Sequence, residues 1–203
     1  MHKLRLCALA VLAVMFLAVA GCGGKNAVTE FYSLNPILAT PKLNIAPMGD
    51  FSRRTIALGP LTMPAYLTSR AQIVTQTDAN QLDVMENARW AEPLDTNITM
   101  VLTDNLAYLL NCGSIVQYPW RASTAFDFRA ETIIFAMTAN AEQAVLRGRY
   151  RLTATAGDRV YDGEFAYAEE LPAYTPGAIV AAYNRMLDEL SMEIAERLIT
   201  LAR

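Results

Sequence analysis

The chain has 203 residues, of which 53% are hydrophobic and 18% charged, with a formal net charge of −3, three cysteines and one histidine. That length suffices for one ordinary domain with a sizeable core, and the acidic balance gives no basic patch of the kind that nucleic-acid binding needs. The placement of the cysteines and the histidine, taken up below, excludes most nucleophilic and metal chemistry.

His2, Lys3 and Arg5 make a positive start, and Leu6 to Ala20 are apolar without a break. The run is shorter than the roughly 20 residues a membrane-spanning helix needs. A basic start, a short apolar core and small residues at its end are the layout of a secretory signal. The end reads Val19-Ala20-Gly21-Cys22, the pattern of a bacterial lipobox. Residues 1–21 are therefore expected to be cut away, leaving Cys22 with a diacylglyceryl group on its thiol and an acyl chain on its amine. Three chains anchor a protein far more firmly than one. Gly23 stands where an aspartate would retain a lipoprotein in the inner membrane of enteric bacteria, so the expected location is the outer membrane, facing the periplasm.

Cleavage leaves 182 of the 203 residues and removes Lys3 and Arg5, taking the formal charge from −3 to −5. It also removes Cys7 and His2, so Cys112 is the one thiol left free. No internal disulfide, thiolate zinc site, Ser-His or Cys-His pair can be built from what remains. No carboxylate pair is marked out by its surroundings. The expectation is a protein with no catalytic residues, no metal site and no cofactor beyond the lipid on Cys22. Cys112, between Leu109-Leu110-Asn111 and Gly113, reads as a small buried residue near a helix end.

Residues 22–30 form the lipidated N-terminus and tether, and residues 31–203 the domain. The eight residues after Cys22 span at most about 28 Å. Phe31-Tyr32-Ser33-Leu34 suits a short first strand. Residues 35–54, with Pro36, Pro41 and Pro47, read as an irregular connection. Thr55 to Leu61 is a β-type run, with Pro60 placing its end at a bulge or an edge. Pro64 to Thr68 suits a turn or short helix. Ile73–Thr77 and Gln81–Met85 flank the turn-prone Asp78-Ala79-Asn80 as a hairpin.

Pro93 suits a first helical position. Leu94, Ile98, Val101, Leu102, Leu106, Leu109 and Leu110 follow at close to a 3.6-residue period, and Gly113 marks the stop. Ile115 to Tyr118 is a strand ended by Pro119. Phe128 to Ala168 reads as a three-stranded antiparallel meander. A turn centred on Gly157-Asp158 would set Arg151 across from Glu164, Thr153 across from Asp162 and Tyr150 across from Phe165. Arg147, Arg149 and Arg151 share the polar face. They suit a solvated sheet face with Glu164 as cross-strand partner, or a surface for lipid headgroups or an acidic partner. Thr175 can cap the last helix and Pro176 begin it. Its apolar stripe is Ile179, Tyr183, Met186, Leu187, Leu190, Ile194, Leu198 and Leu201, with Asp188, Glu189, Glu193, Glu196 and Arg197 mostly elsewhere on the surface. The order β-β-β-α-β-β-β-β-α predicts a single α+β domain, a mainly antiparallel sheet packed against two long helices.

Three segments resemble the PqiC family, the auxiliary lipoproteins of ABC-type lipid transport systems. They are Phe31-Tyr32-Ser33-Leu34, the stretch from Ile56-Ala57-Leu58-Gly59-Pro60-Leu61 through Pro64-Ala65-Tyr66-Leu67 to Gln72-Ile73-Val74, and Ala88-Arg89-Trp90-Ala91-Glu92-Pro93-Leu94. With the lipobox they fall in the family's order, covering roughly residues 22–111. The resemblance implies a non-catalytic, membrane-anchored subunit of a lipid transport system. Its expected partners are an MCE-domain lipid carrier and the inner-membrane transporter complex behind that carrier, and self-association into a ring would suit a tube-shaped partner. Arg70, Gln72, Arg89, Trp90 and Glu92 match the family motifs. Trp90 would fill a gap between helix and sheet, and Arg89 or Glu92 would fix the helix start; direct partner contact is the other reading. The partner-contact candidates are thus Pro64, Tyr66, Leu67, Arg70, Arg89 and Trp90, with the Pro64–Leu67 turn favoured as an exposed apolar contact because loops often carry function. A periplasmic lipid-binding chaperone and a general envelope scaffold are the alternatives.

Overall fold

The structure, a computed structural model, describes residues 28–39 and 45–203; the expected leader, Cys22 and most of the tether lie outside the described residues. Among the described residues, eight strands and three α-helices run in the order β1 (Glu30–Tyr32), β2 (Thr55–Thr62), α1 (Ala65–Thr68), β3 (Gln72–Asp78), β4 (Gln81–Trp90), α2 (Leu94–Leu109), β5 (Ser114–Gln117), β6 (Phe128–Ala139), β7 (Gln143–Ala154), β8 (Arg159–Glu170) and α3 (Pro176–Leu201). A 3-10 turn, Ile37–Ala39, follows β1. Four strands precede the first long helix, matching the four segments read as strands there and one more than the order β-β-β-α counts.

The strands form two sheets, not one. The larger has the order β5-β2-β6-β7-β8 and the smaller β1-β4-β3. Both are mixed. β2 runs parallel to β5 and to β6, and β1 parallel to β4. The remaining pairs are antiparallel, as the hairpin and the meander required. Local alternation reveals strands joined by short turns. It does not reveal which distant strands lie side by side, and parallel neighbours are always distant in sequence. Pro60 sits where the β2–β6 register shifts between Leu58 and Leu61, a bulge that accommodates a residue with no N–H to give.

One face of the larger sheet is covered by α2 and α3, and the core lies between them. Of the stripe residues, Leu94, Ile98, Val101, Leu102, Leu106 and Leu109 on α2 and Leu110 at its C-terminal cap are all buried, as are Ile179, Tyr183, Met186, Leu187, Leu190, Ile194 and Leu198 on α3. Each fully buried aliphatic side chain contributes about 1.5–3 kcal/mol of transfer free energy. The cap of α3 is as expected: Thr175 Oγ1 accepts the Ala178 N–H at 3.3 Å, and Pro176 opens the helix. Pro93 lies one position before α2, not inside it. The left-handed residue that stops α2 is Asn111 (φ 47°), two positions before Gly113. It lets the Asn111 and Cys112 N–H groups reach back to the carbonyls of Tyr108 (3.2 Å) and Ala107 (2.9 Å). Cys112 is buried, and that burial pushes its thiol pKa up.

The meander has the expected faces but a different register. Arg151 pairs with Asp162, Thr153 with Val160 and Tyr150 with Gly163. The loop is the four residues 155–158, longer than a turn on Gly157-Asp158 alone. A slip of two residues keeps every side chain on its own face, so alternation could not detect it. Glycine contacts pin this register. A Cβ on Gly148 would lie 2.2 Å from the Ile133 carbonyl oxygen and 2.5 Å from Phe165 Cζ. One on Gly163 would lie 2.4 Å from Tyr150 Cζ. Phe165 and Tyr150 therefore lie over the glycine opposite them. Gly148→Ala should lower stability by about 3 kcal/mol or more, because the close neighbour is backbone and cannot swing aside. The urea midpoint reads this. Gly177→Ala, with open space around it, is the control, and an equal midpoint for both variants would contradict the packing described.

Candidate functional site

Two features stand out from the fold: a clamped N-terminal arm and a bulged outer sheet face.

The arm is residues 30–39. β1 lies along the end of β4, and the Ala91 N–H donates to the Tyr32 carbonyl at 2.8 Å. Beyond it, three asparagines on the helices take the backbone of the arm. Asn97 Oδ1 accepts the Leu34 N–H at 2.7 Å, and Asn97 Nδ2 donates to the Leu34 carbonyl at 3.3 Å. Asn105 Oδ1 accepts the Ile37 N–H at 2.7 Å, and Asn184 Oδ1 accepts the Asn35 N–H at 3.1 Å. Leu34 and Ile37 are buried. The Asn105 amide nitrogen donates onward to Asp188 Oδ1 (3.2 Å) and Ser191 Oγ (3.0 Å) on α3. Asp188 is thus inside the molecule, not on the solvent face where its charge suggested. Its carboxyl is pushed up to about 6 by burial, with the Asn105 hydrogen bond pulling the other way.

The outer face is the side of β6, β7 and β8 away from the helices. Along β7 its arginines have different neighbours. Arg151 lies between Glu131 and Asp162, and binds Asp162 through two hydrogen bonds of 2.7 and 3.0 Å. The hydrogen bond from that guanidinium holds the Asp162 carboxyl below the usual range. Arg149 lies between Ile133 and Glu164, with its guanidinium 5.9 Å from the centre of the Phe135 ring. Arg147 lies between Ala136 and Ala166. Glu164, the expected cross-strand partner on this face, lies across from Arg149; Asp162 takes that place at Arg151, and Arg147 has no acidic cross-strand neighbour.

Arg147 belongs to an open groove of about 590 Å³ between this face and the β3–β4 hairpin. Its lining includes Tyr66, Leu82, Phe135, Val145, Gln76 and Arg147. The β6–β7 register shifts between Ile134 and Ala136, so Phe135 is the extra residue of a bulge and is 49% exposed. Bulges re-aim side chains in this way. Leu82, near the hairpin tip, is 44% exposed. Thr138 Oγ1 donates to Gln76 Oε1 at 3.2 Å and ties the hairpin to the sheet. Burial raises the Tyr66 pKa, and the charge of Arg147 opposes the shift.

The candidate residues are not brought together as one site. Tyr66 lines the groove. Leu67 is buried in the core, which corrects its reading as an exposed contact. Pro64 is half-buried and Arg70 exposed. Trp90 is buried with its ring 6.4 Å from that of Tyr183, filling space between sheet and helix. Arg89 is on β4, not at a helix start, and its Nε has no hydrogen-bond partner among the described residues. Phe135 and Leu82 were not singled out from sequence. The one signal was the apolar run Ile133-Ile134-Phe135-Ala136-Met137, too continuous for a strand with one wet face. Among the described residues no group of three or more His, Cys, Asp or Glu is placed to hold a metal ion, and no helix is long and apolar enough to cross a membrane.

A two-sheet α+β domain with a helix-clamped N-terminal arm is the class that this fold defines. Within it, residues 32–195 match the ABC-type transport auxiliary lipoprotein component family, and the chain belongs to that family. Two solved structures share the fold. One is an uncharacterized protein (17% identity, TM-score 0.67, covering 84% of this chain and 99% of that one). The other is XCC0632 from Xanthomonas campestris (13% identity, TM-score 0.63, covering 82% and 93%). No curated protein matches the chain.

Proposed function

We propose that the protein is the non-catalytic, lipid-anchored subunit of an MCE-type intermembrane lipid transport system. In this reading Cys22 holds it to the periplasmic face of the outer membrane, and the groove beside Phe135 receives the lipid-carrying partner. Family membership supports the transport role and fits a protein without catalysis. The observation that carries the docking reading is the groove: an exposed Phe135 on a bulge, an exposed Leu82 and Arg147 without an acidic cross-strand neighbour. Exposed aromatic and aliphatic side chains beside a free cation are what a partner surface offers.

The anchor and the groove are tested separately. Cys22→Ser should remove palmitate labelling and release a folded domain into the soluble periplasm. A Cys22→Ser chain that still sediments with membranes in high salt would contradict the anchor. A photo-crosslinking residue at position 135 or 82 should capture an MCE-domain protein, and one at Asp104 on α2 should not. Phe135→Asp should lower recovery of that partner about tenfold, a loss of about 1.4 kcal/mol. Equal capture from all three positions, or none from any, would refute the groove as the docking surface. The groove's volume lies within the range of small-ligand sites, so a domain that takes an acyl chain itself would use the same walls. Lipid retained by the purified domain in native mass spectrometry, and lost in Phe135→Asp, would favour that second reading.

A further inference from the structure

We infer that the outer face of the smaller sheet, centred on Phe31, Arg89 and Gln72, is a contact surface for anionic phospholipid headgroups that sets how the domain lies on its membrane. This rests on the reading of Cys22 as the lipid anchor.

The three side chains form a row across the sheet. Phe31 pairs with Arg89 across β1 and β4, and Gln72 pairs with Arg89 across β3 and β4. Directly paired residues project to the same side, about 5 Å apart. The alternate residues show which side this is. Ala88 and Trp90 flank Arg89 and are buried, so the row faces away from the core. Phe31 is 65% exposed, a large aromatic ring in water on the first strand of the arm. Val28, three residues earlier, is more exposed still.

Arg89 makes no ion pair among the described residues, and its buried Nε lacks an acceptor. Arg89 as a whole is only part-buried, so an incoming phosphate oxygen can pair with its otherwise unpaired guanidinium charge. The nearest acid in sequence on the arm, Glu30, projects to the opposite side of β1, where the Tyr32 hydroxyl donates to it. The row is therefore cationic and aromatic, with no carboxylate in it.

The length of chain outside the structure selects the occupant. Eight residues separate Cys22 from Phe31, a reach of at most about 30 Å. β1 and the three asparagines hold the arm against the domain from there on. The tether therefore confines the row to within about 30 Å of the lipid on Cys22. An apolar ring entering the headgroup/acyl boundary beside an arginine that meets the headgroups is a pattern of interfacial surfaces. A headgroup contact beside the lipid on Cys22 would add a second, orienting signal.

The test uses the lipidated full chain in vesicles of phosphatidylethanolamine and phosphatidylglycerol, with Phe31→Trp as reporter and bromine-labelled acyl chains as quencher. Quenching of the Phe31→Trp protein should exceed that of the parent, with its own Trp90 and Trp120, at least twofold. Adding Arg89→Gln should remove half or more of that excess, Arg89→Lys should keep most of it, and Arg70→Gln should leave it unchanged. No excess quenching, or the same excess in phosphatidylcholine vesicles, would overturn the inference. Palmitate labelling of Cys22 in the same preparation separates the two readings: labelled protein without excess quenching refutes the headgroup surface alone, and unlabelled protein refutes the anchor.

Discussion

Asn105→Ala should be among the most damaging single changes in the helix layer, lowering stability by about 3–5 kcal/mol. The expectation follows from what the amide joins. Its oxygen accepts the Ile37 N–H at 2.7 Å, and its nitrogen donates to Asp188 and Ser191. Ser191 keeps a second bond, donating to the Leu187 carbonyl at 2.6 Å. Ile37 N–H and the Asp188 carboxylate lose the partner that Asn105 supplies. Each buried group left unsatisfied costs about 1–3 kcal/mol, more where it is charged. For a domain of this size that is a fall in Tm of roughly 8–15 °C. Hydrogen exchange gives a local readout, because the Ile37 amide should lose its protection before the sheet does. Asn184→Ala, which removes only an exposed bond to the Asn35 N–H, should change stability by less than about 1 kcal/mol. A Tm shift under 2 °C for Asn105→Ala would show that the arm is held by its apolar contacts instead.

Asp188→Asn should change the pH dependence of stability. Burial pushes the Asp188 carboxyl from 3.8 up to about 6. A carboxyl with a raised folded-state pKa binds its proton more tightly in the folded chain than in the unfolded one. Between about pH 4 and pH 6 the folded chain holds a proton that the unfolded chain has released. Stability contributed by this group is therefore full below pH 4, falls as pH rises through the window, and stays lower above it. The shift corresponds to on the order of 2–3 kcal/mol. An asparagine can still present its oxygen to the Asn105 amide and carries no charge to bury. Relative to the parent, Asp188→Asn should gain on the order of 2 kcal/mol between pH 4 and pH 7, read from urea midpoints at each pH. Parallel pH curves for the two proteins would contradict the assignment.

These two residues mark the limit of sequence reading in the helix layer. The apolar stripes of α2 and α3 were legible because seven leucines, isoleucines and valines in one helix, and eight apolar side chains in the other, recur at the helical period. Asn97, Asn105 and Asp188 lie on the same buried faces, but a polar residue in a stripe reads as an interruption until its partner is known. The partner of Asn105 on the arm is 68 positions away. The meander's faces were legible from alternation, and its register was not, because a slip by two leaves alternation unchanged. Trp90 shows the converse case. Its place between sheet and helix was expected from motif position, and it packs there against Tyr183.

The groove was the least legible feature. Tyr66 came from a motif and Arg147 from its shared face with Arg149 and Arg151. Phe135 owes its exposure to a bulge, and Leu82 to the way the hairpin meets β6. Phe135 leaves only the unbroken apolar run from Ile133 to Met137 as a local trace, and Leu82 leaves none.

By itself the sequence determined the composition of the domain without histidine, the two amphipathic helices with the cap of the second, and the hairpin and meander. Each is a local pattern, set by spacing within a few residues, and local spacing is what a chain carries along its length. Only the tertiary structure decided the parallel pairing of β2 with β5 and β6, the division into two sheets, the hold of the asparagines on the arm, and the row of Phe31, Arg89 and Gln72. Those depend on contacts between positions tens of residues apart, where burial and hydrogen-bond satisfaction choose among arrangements that the local pattern allows equally.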